Sequence, residues 1–304
     1  MSSPKLSFII LAYDMQREFP KTLQSLTDAY QKNIPQGEFE IILIENRSKN
    51  LLNIRELKDA CPNLRYYLNS SNPSSPAYAM NLGLKKAKGD TVAFCIDGAR
   101  MLSPGVAKGI IQASKMYDDF VVATHAYHLG MEPQNLSVPA GRYNQSIEDG
   151  LLEKIDWPKD GYKLFDISVL ALSSSKGWFG EIAESNCIAL PKASAIKLGG
   201  FDENFTTLGG GYVNLDFYKR AQELTNHQLI YLLGEGTFHQ VHGGVATNRD
   251  DTPHDEYKKE YSRLRGESFK VKRLPQNVMY LGSIHPSAKK VLLESANKIF
   301  EDVD

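Results

Sequence analysis

The sequence predicts an α/β protein built on a mostly parallel, Rossmann-like sheet flanked by helices. Three observations carry that prediction. From Leu6 to Thr124, apolar β-rich runs alternate with segments of helical spacing, the pattern of successive βαβ units. Several of those runs are apolar throughout, as strands covered on both faces must be. Three of them stop abruptly at polar residues, Tyr13-Asp14, Glu45-Asn46 and Asp97, where open sheets present their ligand-binding ends.

At 304 residues the chain can bury a large core, as one large domain or two small ones. Hydrophobic content of 42% and charged content of 23% are those of an ordinary globular protein. A formal net charge of -1 gives no bulk electrostatic attraction for nucleic acid. The odd set Cys61, Cys95 and Cys187 has no metal-ligand spacing and reads as reduced thiols. No apolar run is long enough to span a bilayer, and the first residues lack a signal-peptide profile. A cytoplasmic protein is the expectation.

The elements follow in order. Leu6–Ala12 is a first strand, and Phe19–Tyr30, with Leu23, Leu26 and Tyr30 at helical spacing, a first helix. Glu40–Asn46 is a second strand, Ile54–Ala60 a short helix closed by Cys61-Pro62, and Leu64–Leu68 a third strand. After a polar loop over 69–76, Ala77–Lys88 is a helix ending at Gly89. The strand Thr91–Ile96 then ends at Asp97, Gly98 permits a tight turn, and Ser103-Pro104 offers an N-cap and first-turn proline for a helix to Tyr117. Phe120–Thr124 is another strand. The pattern loosens from His125 to Trp178, a stretch of long loops such as binding elements or lids use. Asn186–Leu190 and Leu229–Leu232 are strands, and Lys192–Leu198 and Asn214–Glu223 helices, followed by helical segments at Tyr257–Arg265 and Ser287–Phe300. Asp97 alone reads equally as a turn cap or a ligand; three polar strand ends on one rim favour the ligand.

The blocks LSFIILAYDMQREFPKTLQSL, EIILIENRS, AYAMNLGLKKAKGDTVAFCIDGARMLSPG, LGGFDENF and GGGYVNLDFYKRA, in that order, resemble the family 2 glycosyltransferases of the GT-A fold. The resemblance runs from about Leu6 to His242 and rests most on the GDTVAFCIDGARMLSPG and GGFDE blocks. It implies an inverting transfer of sugar from a nucleotide-diphospho-sugar, a UDP-sugar by default, to a glycan or other hydroxyl acceptor. It implies that Ala12, Tyr13 and Asp14 contact the nucleotide, that Glu45 and Asn46 hold its base, and that Asn81 lies near the diphosphate or sugar. The family's DxD motif, whose acids reach the ribose and a divalent Mn²⁺ or Mg²⁺, falls on Asp97, Gly98 and Ala99. Its acidic ED pair, the source of the catalytic base, falls around Val213, Asn214, Leu215 and Asp216, and its late metal-binding histidine on His239 or His242. The expected division is a GT-A domain over 1–250, with a nucleotide half to about 125 and an acceptor half from 126, and a C-terminal helical extension over 251–304.

Two departures alter the chemistry. The DxD motif lacks its second acid and reads Asp97-Gly98-Ala99-Arg100, so either a weakened metal site persists or Arg100 takes the cation's place on the diphosphate. The ED pair reads Val213-Asn214, leaving Asp216, which an Arg220 partner at i, i+4 would make structural, and the upstream Glu181 and Glu184 as candidate bases. Trp178 reads as a sugar-stacking or core residue, and Gly209-Gly210-Gly211 as a mobile hinge or a plain turn. Two functions follow: a transferase with weakened or absent metal dependence, or a non-catalytic module binding sugar nucleotide or glycan. No G-x-G-x-x-G follows the first strand and no Walker A pattern occurs, which removes support for a dehydrogenase or nucleotidyltransferase. Homo-oligomer formation stays open.

Overall fold

The three apolar runs that stop at polar residues are strands buried along their whole length. The computed structural model describes residues 3–71, 74–244 and 253–301. Its first part holds β1 (Leu6–Ala12), α1 (Phe19–Gln24), β2 (Phe39–Asn46), α2 (Ile54–Ala60), β3 (Leu64–Asn69), α3 (Ala77–Lys86), β4 (Thr91–Cys95), β5 (Arg100–Leu102), α4 (Val106–Met116) and β6 (Phe120–Leu129). Then come α5 (Gln134–Ser137), α6 (Gln145–Ile155), β7 (Ser168–Leu170), β8 (Ile188–Pro191), α7 (Lys192–Lys197), α8 (Val213–Gln222), β9 (Gln228–His239), α9 (His254–Arg265), β10 (Met279–Gly282) and α10 (Lys289–Glu301). The expected 69–76 loop lies partly, at 72 and 73, outside the described residues.

One sheet runs in the order β10-β9-β6-β8-β4-β1-β2-β3, with β5 added on β9 and β7 on β6. Strands β3, β2, β1 and β4 are mutually parallel, as are β6, β9 and β10. Only β5, β7 and β8 run against their neighbours. Because β1 is apolar at consecutive positions, it feeds two cores. Phe8 and Ile10 join Ile41, Leu43, Leu23 and Ile110 on one face. Ile9 joins Ile42, Ile44, Met80, Phe94 and Phe217 on the other. Each such side chain contributes roughly 1.5–3 kcal/mol by leaving water, which fixes the register of the central strands.

Several boundaries differ from the sequence expectation. β6 and β9 run on to Leu129 and His239, past polar residues that halt an apolar-run reading, with an irregularity between Ala123 and His125. These extensions build a third core, in which Tyr127 and Phe238 pack with Phe165 and Trp178. Trp178 is 0% exposed, so it is a core residue and not a sugar platform. Helix α4 begins at Val106 with Gly105 as its cap, because the Ser103 hydroxyl donates to Glu235 instead. The C-terminal extension carries α9 and α10 and also a strand: β10 pairs in parallel with β9, Met279 opposite Ile230. Four residues closed by Gly282 gave too short a run to read as a strand.

Candidate active site

Parallel register brings the polar strand ends together. Ala12 lies opposite Glu45, and Ile10 opposite both Leu43 and Cys95, so Asp97 follows β4 at the level of Ala12. The chain turns tightly here: a Cβ on Gly98 would stand 2.4 Å from the Leu11 carbonyl oxygen, so only glycine fits. Asp97 Oδ1 accepts the Ala99 N–H at 3.0 Å. β5 then pairs antiparallel with the end of β9, placing Arg100 opposite His239. Antiparallel β8 is entered from the same rim. With Ile188 opposite Phe94, the segment before Ile188, which includes Glu184, enters the sheet at the end where β4 finishes.

Three potential ligand groups converge. His239 Nε2 is 3.1 Å from Asp97 Oδ2, and His242 Nε2 is 3.7 Å from Asp97 Oδ1. The two histidine Nε2 atoms are 3.2 Å apart. All three ligand atoms lie within 4.8 Å of one another. Burial opposes the charged form of Asp97, yet His242, His239 and Arg100 hold its carboxyl well below the usual range. Burial, reinforced by Arg100, pushes His239 down to about 4, so its imidazole is neutral at physiological pH. Beside them Arg100 is 6% exposed. Its Nε stands 3.3 Å from Asp97 Oδ2, but Nε and Nη1 have no hydrogen-bond partner among the described residues. An anionic carboxylate and two imidazoles facing one another fit a divalent cation, and the unmet guanidinium donors fit an anion.

The expected nucleotide contacts are placed as follows. Tyr13 projects from the end of β1, 52% exposed. Asp14 follows with φ 54° and accepts from Asn50 Nδ2 at 3.0 Å. Glu45 is fully buried, one oxygen accepting the Leu52 N–H at 2.9 Å and the other the Tyr66 hydroxyl at 2.8 Å. Asn46 Oδ1 accepts from Asn69 Nδ2 at 2.7 Å. Asn81 staples the GGFDE turn, donating to Phe201 O and Glu203 Oε1 at 2.8 Å each and accepting the Phe201 N–H at 2.9 Å.

Among the candidate bases, Asp216 is 1% exposed and held on both oxygens. Arg220 Nε donates to Oδ2 at 2.7 Å, and Arg265 donates from Nε to Oδ1 at 2.5 Å and from Nη2 to Oδ2 at 2.8 Å. Arg265 also reaches Asp202 at 2.8 Å. The i, i+4 spacing pointed to Arg220; Arg265, on α9, gave no signal in the sequence. Glu184 is half-buried, with Oε2 accepting from Asn214 Nδ2 at 2.6 Å. Glu181 pairs with Lys176 at 2.8 Å. Gly209, Gly210 and Gly211 all have positive φ, which ties this turn to glycine, and Gly209 N donates to Ser74 O at 3.0 Å.

Residues 7–154 match the family model described as glycosyl transferase family 2. This part of the chain is similar to the family 2 glycosyltransferases. The GT-A fold extends beyond it. The crystal structure of S. aureus TarS 1-349 in complex with UDP-GlcNAc superposes with a TM-score of 0.55 at 13% identity, over 98% of this chain and 73% of that one. A longer S. aureus TarS structure gives 0.54 at 13% identity over 86% of this chain, which spans only 42% of its length. The mannosyltransferase PcManGT from Pyrobaculum calidifontis, in complex with GDP-Man and Mn²⁺, gives 0.51 at 12% identity over 98% of this chain and 70% of that one. No curated protein matches the chain. Among the described residues, no helix is long and apolar enough to cross a membrane, and Cys61, Cys95 and Cys187 are free thiols.

Proposed function

We propose that the protein is an inverting hexosyltransferase, moving sugar from a nucleotide-diphospho-sugar to a hydroxyl acceptor in glycan synthesis. The observation that carries this reading is the convergence of Asp97, His239 and His242 beside Arg100 at the carboxyl ends of β4 and β9. Asp97, His239 and His242 would hold a divalent cation, Mn²⁺ or Mg²⁺, which when bound offsets charge on the leaving diphosphate. Arg100 offers a second, fixed cation to the same group. Tyr13, with Ala12 and Asp14, flanks the nucleotide; Glu45 and Asn46 shape the wall at its base, and Gly98 and Ala99 let the backbone approach. Glu184 accepts the acceptor's proton as its oxygen attacks the anomeric carbon and the bond to diphosphate breaks on the opposite face. Asn214 orients Glu184, and Asp216 braces α8. Asn81 supports the site through the GGFDE turn.

UDP is the default donor nucleotide, supported by the UDP-GlcNAc-bound TarS, while the GDP-Man-bound mannosyltransferase keeps GDP in the test. Residues to about 125 form the donor half and 126–250 the acceptor half of one GT-A domain, with 251–304 its C-terminal helical extension, in a cytoplasmic protein free to self-associate. A second reading, a non-catalytic module binding sugar nucleotide or glycan, draws on Ala99 and Asn214, which stand where the family carries acids. Calorimetric titration with UDP, GDP and dTDP, each with and without Mn²⁺, tests the donor site. One nucleotide should bind, more tightly with Mn²⁺, and lose that gain in Asp97→Ala; binding of none removes the reading. Sugar release that requires Glu184 separates the enzyme from the module.

A further inference from the structure

Gln134 makes a set of contacts that the donor chemistry does not by itself require. It sits at the start of α5, just past the end of β6, and is fully buried. Its side-chain nitrogen donates to Leu129 O at 3.1 Å and to His239 O at 2.9 Å. Those are the last residues of β6 and β9. With both amide hydrogens directed at carbonyls, the orientation of the amide is determined: Oε1, and not the nitrogen, faces His239 Nδ1 at 2.7 Å. A carbonyl oxygen can only accept, so it pairs with a proton on Nδ1, and a ring that carries its single proton there leaves Nε2 bare. His239 Nε2 then presents a lone pair, and it is this atom that lies 3.1 Å from Asp97 and 3.2 Å from His242 Nε2. The Gln134 backbone N–H also donates to His128 Nδ1 at 2.9 Å, which seats the neighbouring ring.

We propose that Gln134 is a positioning residue: its side-chain carbonyl locks His239 in the Nδ1–H tautomer and so presents Nε2 as a cation ligand beside Asp97 and His242. The inference rests on the metal reading of the triad. In the other tautomer, an Nε2–H would point into the cluster, and His239 could bind no cation there. A ligand histidine whose second nitrogen is fixed in this way holds its metal roughly 10- to 100-fold more tightly than one whose partner is removed.

The test begins with the metal-free protein, stripped with EDTA and labelled with nitrogen-15 at histidine. Long-range proton–nitrogen correlation spectra report the tautomer, and His239→Asn identifies the signal. The wild type should show a protonated Nδ1 and an unprotonated Nε2. Gln134→Met, close in volume but without the amide, should show a mixture. Mn²⁺ binding, followed by the loss of the free-ion electron paramagnetic resonance signal, should weaken roughly 10- to 100-fold in Gln134→Met. UDP affinity in EDTA should stay unchanged. Gln134→Glu keeps an acceptor at Nδ1 and should hold the tautomer and bind Mn²⁺ within about threefold of wild type. It should melt lower, because two carbonyls lose their donor. A wild-type ring protonated at Nε2 overturns the proposal, as does Mn²⁺ binding in Gln134→Met equal to wild type. A Gln134→Glu variant as weak as Gln134→Met, or a loss of UDP binding in EDTA, reduces Gln134 to a packing role and overturns it too. The expected tautomer in a wild type that binds no Mn²⁺ means that the metal reading itself has failed, and the ligand role with it.

Discussion

Asn214 donates its side-chain amide to Glu184 Oε2 across 2.6 Å, so an amide on α8 orients an acid in the segment that enters β8. Glu184 approaches from the segment entering β8, on the rim that Asp97 occupies. General-base groups contribute about 10²–10⁴-fold to rate. Glu184→Gln should therefore lower kcat by about that factor while leaving UDP affinity unchanged. Steady-state kinetics beside calorimetry checks this, and a loss below threefold would move the base elsewhere.

Asp216 behaves as a structural acid in this arrangement. Its two oxygens are taken by Arg220 and Arg265, and the latter ties α9 to α8 and to Asp202. Removing the charge strands two partly buried guanidinium groups. Asp216→Asn should cost about 3–5 kcal/mol of stability, as breaking a buried ion pair does. Urea unfolding measures it. An unchanged midpoint joined to a large loss of kcat would return Asp216 to the chemistry.

These two carboxylates mark where the sequence was legible. The strand ends were readable because a parallel strand buried on both faces is apolar throughout and must stop where the ligand rim begins. Asp97 thus stood out, and the late histidines followed from the order of the family blocks. Asp216–Arg220 was visible as helical spacing. Arg265 was not, because its contact spans 49 residues and no local period encodes it. β5 and the ends of β6 and β9 were missed for a related reason. Their polar residues find their places only through distant parts of the chain, as His239 does against Gln134. An apolar-run reading stops at such residues.

Glu235 gives the fold a pH dependence of definite sign. Burial raises its carboxyl to about 7, against the hydrogen bonds from Ser103, Tyr162 and Gly105. In the unfolded chain it titrates near its ordinary 4.5. Between these values the native state keeps a proton that the unfolded chain has lost, so this group's contribution falls as pH rises through the window. The size is on the order of 3 kcal/mol. Glu235→Gln, neutral throughout, should lack that slope, and should gain on the wild type between pH 5 and 8 in urea unfolding. Parallel curves for the two proteins would show that Glu235 does not titrate there.

Arg100 separates the two cations proposed for the diphosphate. Its guanidinium is buried, and Nε and Nη1 lack hydrogen-bond partners among the described residues despite Asp97 at 3.3 Å. Unmet donors on a buried cation carry a desolvation cost that a phosphate oxygen would relieve, and a charged hydrogen bond is worth about 1.5–3 kcal/mol. Arg100→Met should therefore weaken UDP binding in EDTA by roughly 10- to 100-fold. Asp97→Asn should act on the Mn²⁺-dependent part of the affinity instead, since it removes the anionic member of the triad. If Arg100→Met binds UDP in EDTA as the wild type does, the arginine serves only to neutralise Asp97. The diphosphate then depends on Asp97, His239 and His242 for its positive charge.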